Sequence, residues 1–452
     1  MASTPGINQS RAAFIKAATW HGSLDEADAI LAGHPELARL DIHIASILGD
    51  HDTVREFLAQ NKDHATATSE PYGANPLTHL CLSKYLRFEK KPSEDFIRAA
   101  SLLLDTGADP NGGFWTDEKF PEYETPLYGA AGVAHHTGLT QLLLERGADP
   151  NDEEAVYHSP ETYDNDAMKR LVETGRLTTD NLSIMLMRKH DWHDEEGVAY
   201  LLARGADPNI VRSKGWSPLH HALARCNGLA IITRLMDYKG DPMLVSEGLT
   251  ATARAAREGR GDVLRLFQQR GYPIDLPGVD KLIAAAAMEY AAGAAAVEDS
   301  AGAAAIAAAG PTLRTELMAL KDTLLARFVL SNNLGGIKIF FQLGMDVNTP
   351  YIKGDGYWCI PPGSLPIHIA AWLLHPEMVE LLLDNGAIVD QPDANGETPL
   401  MLAVRACLES YWKRRCPPRL LVMLLEAGAS PHRVPFPTGN SEIDAVITKY
   451  RK

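Results

Sequence analysis

The sequence contains no apolar run long enough to cross a membrane. Its least polar stretch, Leu282–Pro311, is rich in alanine but includes Glu289, Glu298 and Asp299. A membrane-spanning helix needs about 20 predominantly apolar residues, so this stretch is excluded as a span. Met1–Ser10 is polar and has neither the apolar core nor the cleavage site of a secretory signal. We therefore expect a cytoplasmic protein with no membrane segment.

Cysteine and basic charge are both scarce. The 452 residues include five cysteines, and their spacing matches neither a disulfide framework nor a zinc site. We expect all five to be reduced thiols: Cys81, Cys226, Cys359, Cys407 and Cys416. The formal net charge is −15 at pH 7. Because a nucleic-acid-binding protein needs a basic stripe to neutralise phosphates, we expect no nucleic-acid partner.

The signatures of common catalytic and nucleotide-binding sites are also missing. No glycine is followed by lysine, which excludes a P-loop, and there is no nucleotide-binding glycine fingerprint. The Gly-x-Ser-x-Gly elbow of hydrolases and the His-Glu-x-x-His helix of metalloproteases do not occur either. The sequence therefore predicts no cofactor, and any catalysis would rest on residues outside these motifs.

A repeated phrase is the main feature that is present. Gly-Ala-Asp-Pro-Asn occurs at Gly107–Asn111, Gly147–Asn151 and Gly205–Asn209, each time after a Leu-Leu pair. Looser copies begin at Gly240, Gly271, Gly344, Gly386 and Gly428. A structural unit of about 33 residues explains the spacing, if several units carry insertions and two long intervals each contain a degenerate unit.

A second phrase marks the start of five helices that are predicted to open a unit. It occurs as Asn75–Leu77, Thr125–Leu127, Ser217–His220, Leu365–His368 and Thr398–Leu400. A Thr, Ser or Asn side chain caps the helix, and proline at its first position has no N–H to leave unpaired. Together the two phrases resemble the ankyrin repeat, and the resemblance covers most of the chain.

This resemblance implies an all-α solenoid of stacked helix pairs, with about ten or eleven repeats. The expected boundaries are an N-terminal tail at 1–10, a solenoid at 11–435 and a C-terminal capping segment at 436–452. Within the solenoid we expect degenerate repeats at 11–70 and an alanine-rich insertion at about 284–311. Ankyrin proteins generally bind protein partners on a concave surface, so the resemblance also implies a protein partner, and we expect a monomer.

Three insertions depart from the repeat pattern at turns between repeats: Gly112–Glu124, Asp152–Asp166 and Thr349–Gly363. In the ankyrin fold such turns project as fingers beside the concave surface. The candidate binding residues within them are aromatic or polar: Trp115, Glu118, Tyr123, Tyr157, Tyr163, Asn165, Tyr357 and Trp358. The aromatic residues could instead pack each insertion onto the neighbouring repeat, and the sequence leaves both interpretations open.

A fourth departure, Lys189–Glu196, falls between the two helices of one repeat and adds Trp192 and His193 as candidate binding residues. His190 and His193 are spaced as a pair of metal ligands could be, but this spacing is a weak signal. A polar turn in which Trp192 covers a helix end explains the segment better, and no metal site is predicted.

Two classes of function remain open. The first is an interaction protein whose concave face and fingers bind a protein partner. The second is a hydrolase-like enzyme, or a binder of a sugar or cationic ligand, in which paired carboxylates supply the acid and base. The candidate catalytic residues are Asp117, Glu161, Asp164, His158 and Asp355. A catalytic site requires two or three of these groups within hydrogen-bonding distance in a closed pocket.

Overall fold

The computed structural model describes residues 5–211, 216–289, 301–410 and 418–451. The chain divides into two compact units, Met1–Ile210 and Val211–Lys452, which we call the first and second units. Both units are predominantly α-helical, and each contains one hairpin of two-residue strands. The prediction of an all-α fold is confirmed. Within the described ranges, every helix is too short or too polar to span a bilayer.

The first unit consists of short helices and one hairpin. Its α-helices are α1 (Pro5–Ala18), α2 (Asp25–Gly33), α3 (Ile42–Ile47), α4 (His51–Gln60), α5 (Pro76–Cys81), α6 (Lys84–Arg87), α7 (Ser93–Asp105), α8 (Thr137–Glu145), α9 (Glu153–His158), α10 (Asp166–Glu173), α11 (Thr179–Asp191) and α12 (Glu195–Ala203). Tyr128–Val133 is a π-helix, and Pro35–Arg39 and Lys62–Ala65 are 3₁₀-helices. Strands β1 (Phe114–Trp115) and β2 (Tyr123–Glu124) pair antiparallel.

The second unit has the same general composition. Its α-helices are α13 (Pro218–Ala224), α14 (Leu229–Asp237), α15 (Ala251–Arg257), α16 (Gly261–Gln269), α17 (Gly278–Met288), α18 (Ala301–Ala307), α19 (Pro311–Ala319), α20 (Lys321–Leu330), α21 (Leu334–Gln342), α22 (Pro366–Trp372), α23 (Pro376–Asp384), α24 (Pro399–Glu409), α25 (Pro418–Glu426) and α26 (Ser441–Tyr450). Strands β3 (Val245–Ser246) and β4 (Leu249–Thr250) form the hairpin, and Pro431–Arg433 is a 3₁₀-helix.

The helices stack in two series in each unit. In the first unit, the opening helices of successive repeats pack in the order α3, α5, the π-helix, α9 and α11. The closing helices α4, α7, α8 and α10 pack in a parallel series. In the second unit α20, α22 and α24 form an opening series, and α21, α23 and α25 form the closing series. Each repeat thus buries its apolar faces only against its neighbours, as expected of a solenoid.

The opening phrase works as the sequence predicts. The side chains of Asn75, Ser217 and Thr398 each accept a hydrogen bond from the backbone N–H three residues later. His220 and His368, at the fourth position of the phrase, contact the carbonyl oxygens of later repeats. The distances are 3.0 Å from His220 Nε2 to Leu249 O and 2.9 Å from His368 Nε2 to Gln391 O. Both histidines are therefore structural.

The asparagine that ends the closing phrase connects one repeat to the next. Asn111 Nδ2 donates to the Gly147 carbonyl at 3.1 Å, and Asn111 Oδ1 accepts from Asp149 N at 2.8 Å. Gly147 has a φ of +98°, a conformation that costs glycine little and other residues more. The phrase therefore closes its helix and also links it to the next repeat.

The interval between Gly147 and Gly205 contains the degenerate repeat that the spacing predicts. Helices α9 and α10 fill it, and Gly175 follows α10 with a φ of +66°. The interpretation of Asp152–Asp166 as a finger is therefore wrong. Asp152 caps α9 by accepting from Ala155 N at 2.7 Å, and the buried Ala155 and Val156 continue the opening series. The segment lacks the proline of the opening phrase, which is why the sequence obscured this helix.

The predicted boundaries at the two ends and at the alanine-rich region can be compared with the helices of the structure. Helix α1 begins at Pro5, inside the range predicted as a tail, and α26 lies inside the predicted capping segment. Helices α18 and α19 fall in or beside the predicted insertion, whose residues 290–300 lie outside the described part of the chain.

Cys81, Cys226 and Cys359 are free thiols, whereas Cys407 is disulfide-bonded. The expectation of a reduced thiol is therefore wrong for Cys407, and Cys416 is outside the described residues.

Candidate functional site

The hairpin of the first unit places its side chains on two opposite faces. Phe114 is paired with Glu124 across the strands, and Trp115 is paired with Tyr123. Because successive residues of a strand point to opposite sides, Trp115 and Tyr123 share the outer face, while Phe114 and Glu124 share the inner face. Trp115 is 66% exposed and Phe120, at the tip, is 75% exposed, whereas Phe114 is 6% exposed. The predicted finger at Gly112–Glu124 is confirmed.

Local contacts hold the outer face in one conformation. The rings of Trp115 and Tyr123 lie 5.0 Å apart. The Tyr123 hydroxyl accepts a hydrogen bond from Gly113 N at 2.8 Å. Thr116 closes the tip, since its N–H donates to Glu122 O at 2.9 Å and its hydroxyl accepts from Glu122 N at 2.9 Å. The finger is therefore ordered in the free chain.

The inner face of the hairpin covers a group of aromatic residues. The Phe114 ring stacks on Tyr72 at 5.1 Å and meets the edge of Trp20 at 5.7 Å. Trp20 Nε1 donates a hydrogen bond to the Tyr128 hydroxyl at 3.1 Å. We call Trp20, Tyr72, Phe114 and Tyr128 the aromatic cluster. It joins residues from the start of the chain, the hairpin and the π-helix.

A histidine held between two carboxylates lies beside this cluster. The ring of His158, at the end of α9, is 5.4 Å from the Tyr128 ring. Its Nδ1 is 2.7 Å from Glu161 Oε2 and its Nε2 is 3.3 Å from Glu154 Oε2. Gly132 of the π-helix makes this approach possible, because a Cβ there would lie 2.9 Å from the His158 Cβ.

Arg188 of α11 extends the charged group. Its guanidinium forms ion pairs with Glu161 and with Asp191, the latter at 2.5 Å. The same guanidinium lies 4.2 Å from the centre of the Tyr157 ring, a distance at which a cation is attracted to an aromatic face. Tyr157 is 44% exposed, so part of its side chain remains accessible to solvent.

Glu124 is the most unusual carboxylate in the first unit. The residue is 1% exposed, and its Oε2 is buried without a hydrogen-bond partner. Burial, together with the neighbouring carboxylates of Glu154 and Glu122, raises the pKa of this carboxyl to about 8. A carboxyl with a pKa this high is largely protonated at neutral pH.

The segment Lys189–Glu196 comprises the end of α11, a structural turn and the start of α12. Lys189 is buried, and its Nζ lies 2.9 Å from Asp194 Oδ2 and donates to Thr162 O at 2.5 Å. Asn165 is also buried and donates to Asp194 Oδ2 at 2.8 Å. The Trp192 ring lies 5.4 Å from that of Tyr163, which is 51% exposed. Asn165 thus supports the fold, while Tyr163 faces solvent. His193 has a φ of +50° in the same turn.

The finger at Thr349–Gly363 of the second unit is packed inward. Bridges join Tyr351 to Ser364 and Asp355 to Ile360, which confirms a hairpin-like finger. Tyr351 is 2% exposed and Trp358 is 6% exposed. The prediction that Trp358 is available to a partner is therefore contradicted, because the turn folds its indole beneath the finger. Tyr357 is half-buried, and the Arg225 guanidinium lies 4.0 Å from its ring centre.

Asp355 serves to fasten this second finger. Its Oδ2 pairs with Arg327 at 2.9 Å, and its Oδ1 accepts from Tyr357 N at 3.0 Å. Arg327 also donates to the Tyr351 hydroxyl at 3.1 Å and lies 3.5 Å from Glu258 Oε2. These contacts give Asp355 a structural role.

Of the candidate catalytic residues in the first unit, the structure brings His158 and Glu161 together. Asp117 and Glu118 lie at the exposed tip of the hairpin, and Asp164 is exposed, with its Oδ1 accepting from Asp166 N at 3.0 Å. Both nitrogens of His158 face carboxylates, and Glu161 is itself paired with Arg188. In residues 5–211, 216–289, 301–410 and 418–451, no group of three or more His, Cys, Asp or Glu side chains is arranged to hold a metal ion.

Comparison with known proteins identifies the repeats. A family model described as ankyrin repeats (3 copies) matches residues 184–277 and 325–413. The chain is an ankyrin-repeat protein. Ankyrin repeats generally mediate protein–protein interaction, using the extended surface that their stacking creates.

Individual relatives match over short ranges. Rabankyrin-5 of Mus musculus is 39% identical over 87 residues, which are 18% of this chain and 7% of that protein. A putative ankyrin repeat protein of fowlpox virus (strain NVSL), FPV031, is 28% identical over 147 residues, 32% of this chain and 35% of that protein. The matched region thus spans a small part of Rabankyrin-5 and about a third of the viral relative.

The family match and the candidate site occupy different parts of this ankyrin-repeat protein. The matched ranges begin at residue 184, whereas the hairpin, the aromatic cluster and His158 precede it. The helix pairs of the first unit nevertheless stack as ankyrin repeats do. The site therefore lies outside the ranges that the family model matches, in a part of the chain that keeps the phrases Thr125–Leu127 and Gly147–Asn151.

Several residues of the site could not be found by sequence reasoning. Trp20 lies in the range predicted to hold degenerate repeats and Tyr72 follows that range, and no motif marks the orientation of either residue. Glu154 and Arg188 were obscured because α9 was interpreted as a loop. The burial of Glu124 could have been predicted from its position. It directly precedes the helix-opening Thr125-Pro126, where the chain returns from the finger to the stacked repeats.

Proposed function

We propose that this chain binds a protein partner through the first unit, with the outer face of the hairpin as the principal contact. The observation that carries this proposal is the exposure of Trp115 and Phe120 on an ordered finger. Exposed aromatic residues of this size are enriched among the residues that dominate binding energy at interfaces.

Order in the free finger favours binding. Side chains and loops that must be immobilised on association cost free energy. The Trp115–Tyr123 ring contact and the hydrogen bonds of Gly113 and Thr116 fix the finger before a partner arrives. The exposed rings of Tyr157 and Tyr163, in the next repeat, would extend the contact surface.

The charge of the surface supports a partner with basic residues. Asp117, Glu118 and Glu122 are exposed on the finger, and the whole chain carries a formal net charge of −15. A negative field attracts a basic surface and speeds its encounter with the protein. The proposal also takes the chain to be a cytoplasmic monomer, which fractionation and light scattering would test.

The test compares two double variants of the full chain. Trp115→Ala/Phe120→Ala removes the exposed rings of the first finger, and Ile352→Ala/Lys353→Ala truncates exposed side chains of the second finger as a control. Proteins captured from a lysate of the source cells are identified and purified, and their dissociation constants are measured by calorimetry. The first variant should weaken binding at least about a hundredfold, which corresponds to loss of a hot spot.

The control variant should bind as the wild type does, and both variants should keep the wild-type melting temperature. Equal binding by the wild type and by Trp115→Ala/Phe120→Ala would refute the proposal. Loss of binding in the control alone would move the contact to the second unit.

A further inference from the structure

The inner face of the hairpin contains a buried carboxyl whose Oε2 has no hydrogen-bond partner among the residues that the structure describes. Glu124 lies at 1% exposure with Oε2 buried and unpaired. The carboxylates of Glu154, Glu122 and Asp152 all act on it in the same direction and raise its pKa, whereas His158 opposes them. Leaving a buried carboxylate oxygen without a donor costs free energy. A ligand that supplies a hydrogen-bond donor to Glu124 Oε2 would remove this cost.

The nearby cations are already engaged. His158 faces Glu154 and Glu161 with its two ring nitrogens. Arg188 is paired with Glu161 and Asp191. Because His158 and Arg188 are engaged in these contacts, neither side chain forms an ion pair with Glu124.

Aromatic rings line the same place. Phe114, the cross-strand neighbour of Glu124, packs on Trp20 and Tyr72. The Tyr128 hydroxyl accepts a hydrogen bond from Trp20. Burial raises the pKa of Tyr128, and the carboxylates of Glu124, Glu154 and Glu122 add to this effect, so the hydroxyl lies within their field. Aromatic faces and carboxylates together are the surroundings that bind an alkylammonium or guanidinium group.

We propose that Glu124, Glu154, Tyr128 and Trp20 form a receptor for one basic side chain, a lysine or arginine, of the protein partner. This inference rests on the proposed function and names the chemistry that the partner must supply. The cation donates to the unpaired Glu124 oxygen, while its alkyl stem packs on the aromatic cluster. Binding ionises Glu124, so one proton leaves the site as the basic side chain enters.

The test uses the full chain and three small probes: Nα-acetyl-lysine amide, Nα-acetyl-arginine amide and Nα-acetyl-norleucine amide, the last being a neutral analogue of the first. Each is titrated at low ionic strength while the indole N–H resonance of Trp20 is followed by NMR. The cationic probes should produce a saturable shift, and Nα-acetyl-norleucine amide should not. Calorimetry in two buffers with different heats of ionisation should detect the released proton.

Matched variants test whether the carboxylate of Glu124 is the group that binds the cation. Glu124→Gln keeps the shape of the side chain and should weaken cation binding about tenfold. Glu118→Gln makes the same change of charge at the exposed tip of the finger and should change affinity by less than about twofold. If Glu124→Gln fails to fold, Glu154→Gln should show the same direction of effect.

The outcomes separate this inference from the proposed function. No saturable shift with either cation, or equal affinity in the wild type and Glu124→Gln, overturns the receptor. If Glu124→Gln binds the purified partner normally while Trp115→Ala/Phe120→Ala does not, the proposed function stands and the receptor is rejected. If Trp115→Ala/Phe120→Ala binds the partner normally while Glu124→Gln does not, the outer-face proposal fails and the receptor remains.

Discussion

The two fingers of this protein have similar composition and opposite exposure. The finger of the first unit presents Trp115 at 66% and Phe120 at 75% exposure, whereas that of the second unit buries Tyr351 at 2% and Trp358 at 6%. Each combines aromatic with acidic residues in an insertion between repeats. An aromatic insertion can therefore be either a binding surface or a self-packed loop, and composition does not distinguish the two.

The backbone and one ion pair explain the difference. In the first finger, strand pairing fixes Trp115 and Tyr123 on the side away from the aromatic cluster. In the second finger, Asp355 accepts hydrogen bonds from Tyr357 N and Trp358 N and pairs with Arg327. These contacts turn the chain back on itself and carry Trp358 into the interior. The exposed ring is available to a partner, and the buried ring stabilises the fold.

The largest expected effect comes from removing the buried indole. Trp358→Ala should lower the free energy of unfolding by about 3–5 kcal/mol, because it deletes a buried aromatic side chain and leaves a cavity. Trp115→Ala should change it by less than about 0.5 kcal/mol, since the position is exposed. Urea denaturation followed by circular dichroism measures both. Similar losses of unfolding free energy in the two variants would contradict the difference in burial between the two fingers.

The next effect concerns the ion pair that fastens the second finger. Asp355→Ala should cost about 2–3 kcal/mol, because Arg327 loses a partner and two backbone N–H groups lose their acceptor. Asp117→Ala, at the tip of the first finger, is the matched control and should be close to neutral. Fluorescence of Trp358 should also move to longer wavelength in Asp355→Ala if the finger opens. An unchanged spectrum and stability would show that the finger is held by other contacts.

Much of the fold could be predicted from local sequence. The capping residues Ser217 and Thr398 and the closing Gly147 occupy the conformations that their chemistry requires, because caps and turns depend on a few adjacent residues. The helix α9 was not predicted, since it has no proline at its start and its cap, Asp152, also suits a loop. Local signals therefore define repeats that keep the motif and miss repeats that have lost it.

The candidate site was less predictable because it depends on contacts between distant segments. Trp20 reaches Tyr128 across 108 residues of sequence, and no local pattern encodes that contact. The second finger likewise contacts a distant segment, since Asp355 forms an ion pair with Arg327 of α20. Strand register, by contrast, determined the orientation of Trp115 and Glu124, but the register itself was visible only in the structure.

A smaller effect is expected within the first finger. Tyr123→Phe should lower the free energy of unfolding by about 1 kcal/mol, because it leaves the Gly113 N–H without its hydroxyl acceptor. The control is Tyr157→Phe, whose ring is half exposed and lies beside Arg188. Amide exchange at Gly113 should become faster in Tyr123→Phe alone. Unchanged exchange would mean that this hydrogen bond does not order the finger.

A last effect, measured as a pH dependence rather than as a loss of stability at one pH, is expected at Glu124. Its pKa is raised from 4.5 to about 8, so the folded chain retains a proton that the unfolded chain releases between these values. The stabilisation from this group is complete below pH 4.5 and is lost as the pH rises through about 8. Glu124→Gln removes the titration, and its stability relative to the wild type should therefore be greater at pH 9 than at pH 5. Glu118→Gln, at the exposed tip of the finger, leaves Glu124 and its neighbouring carboxylates in place and should keep the pH dependence that Glu124 confers. A stability difference between wild type and Glu124→Gln that is the same at both pH values would show that the carboxyl ionises normally, and its inner-face position would then no longer distinguish it from the exposed acids of the finger.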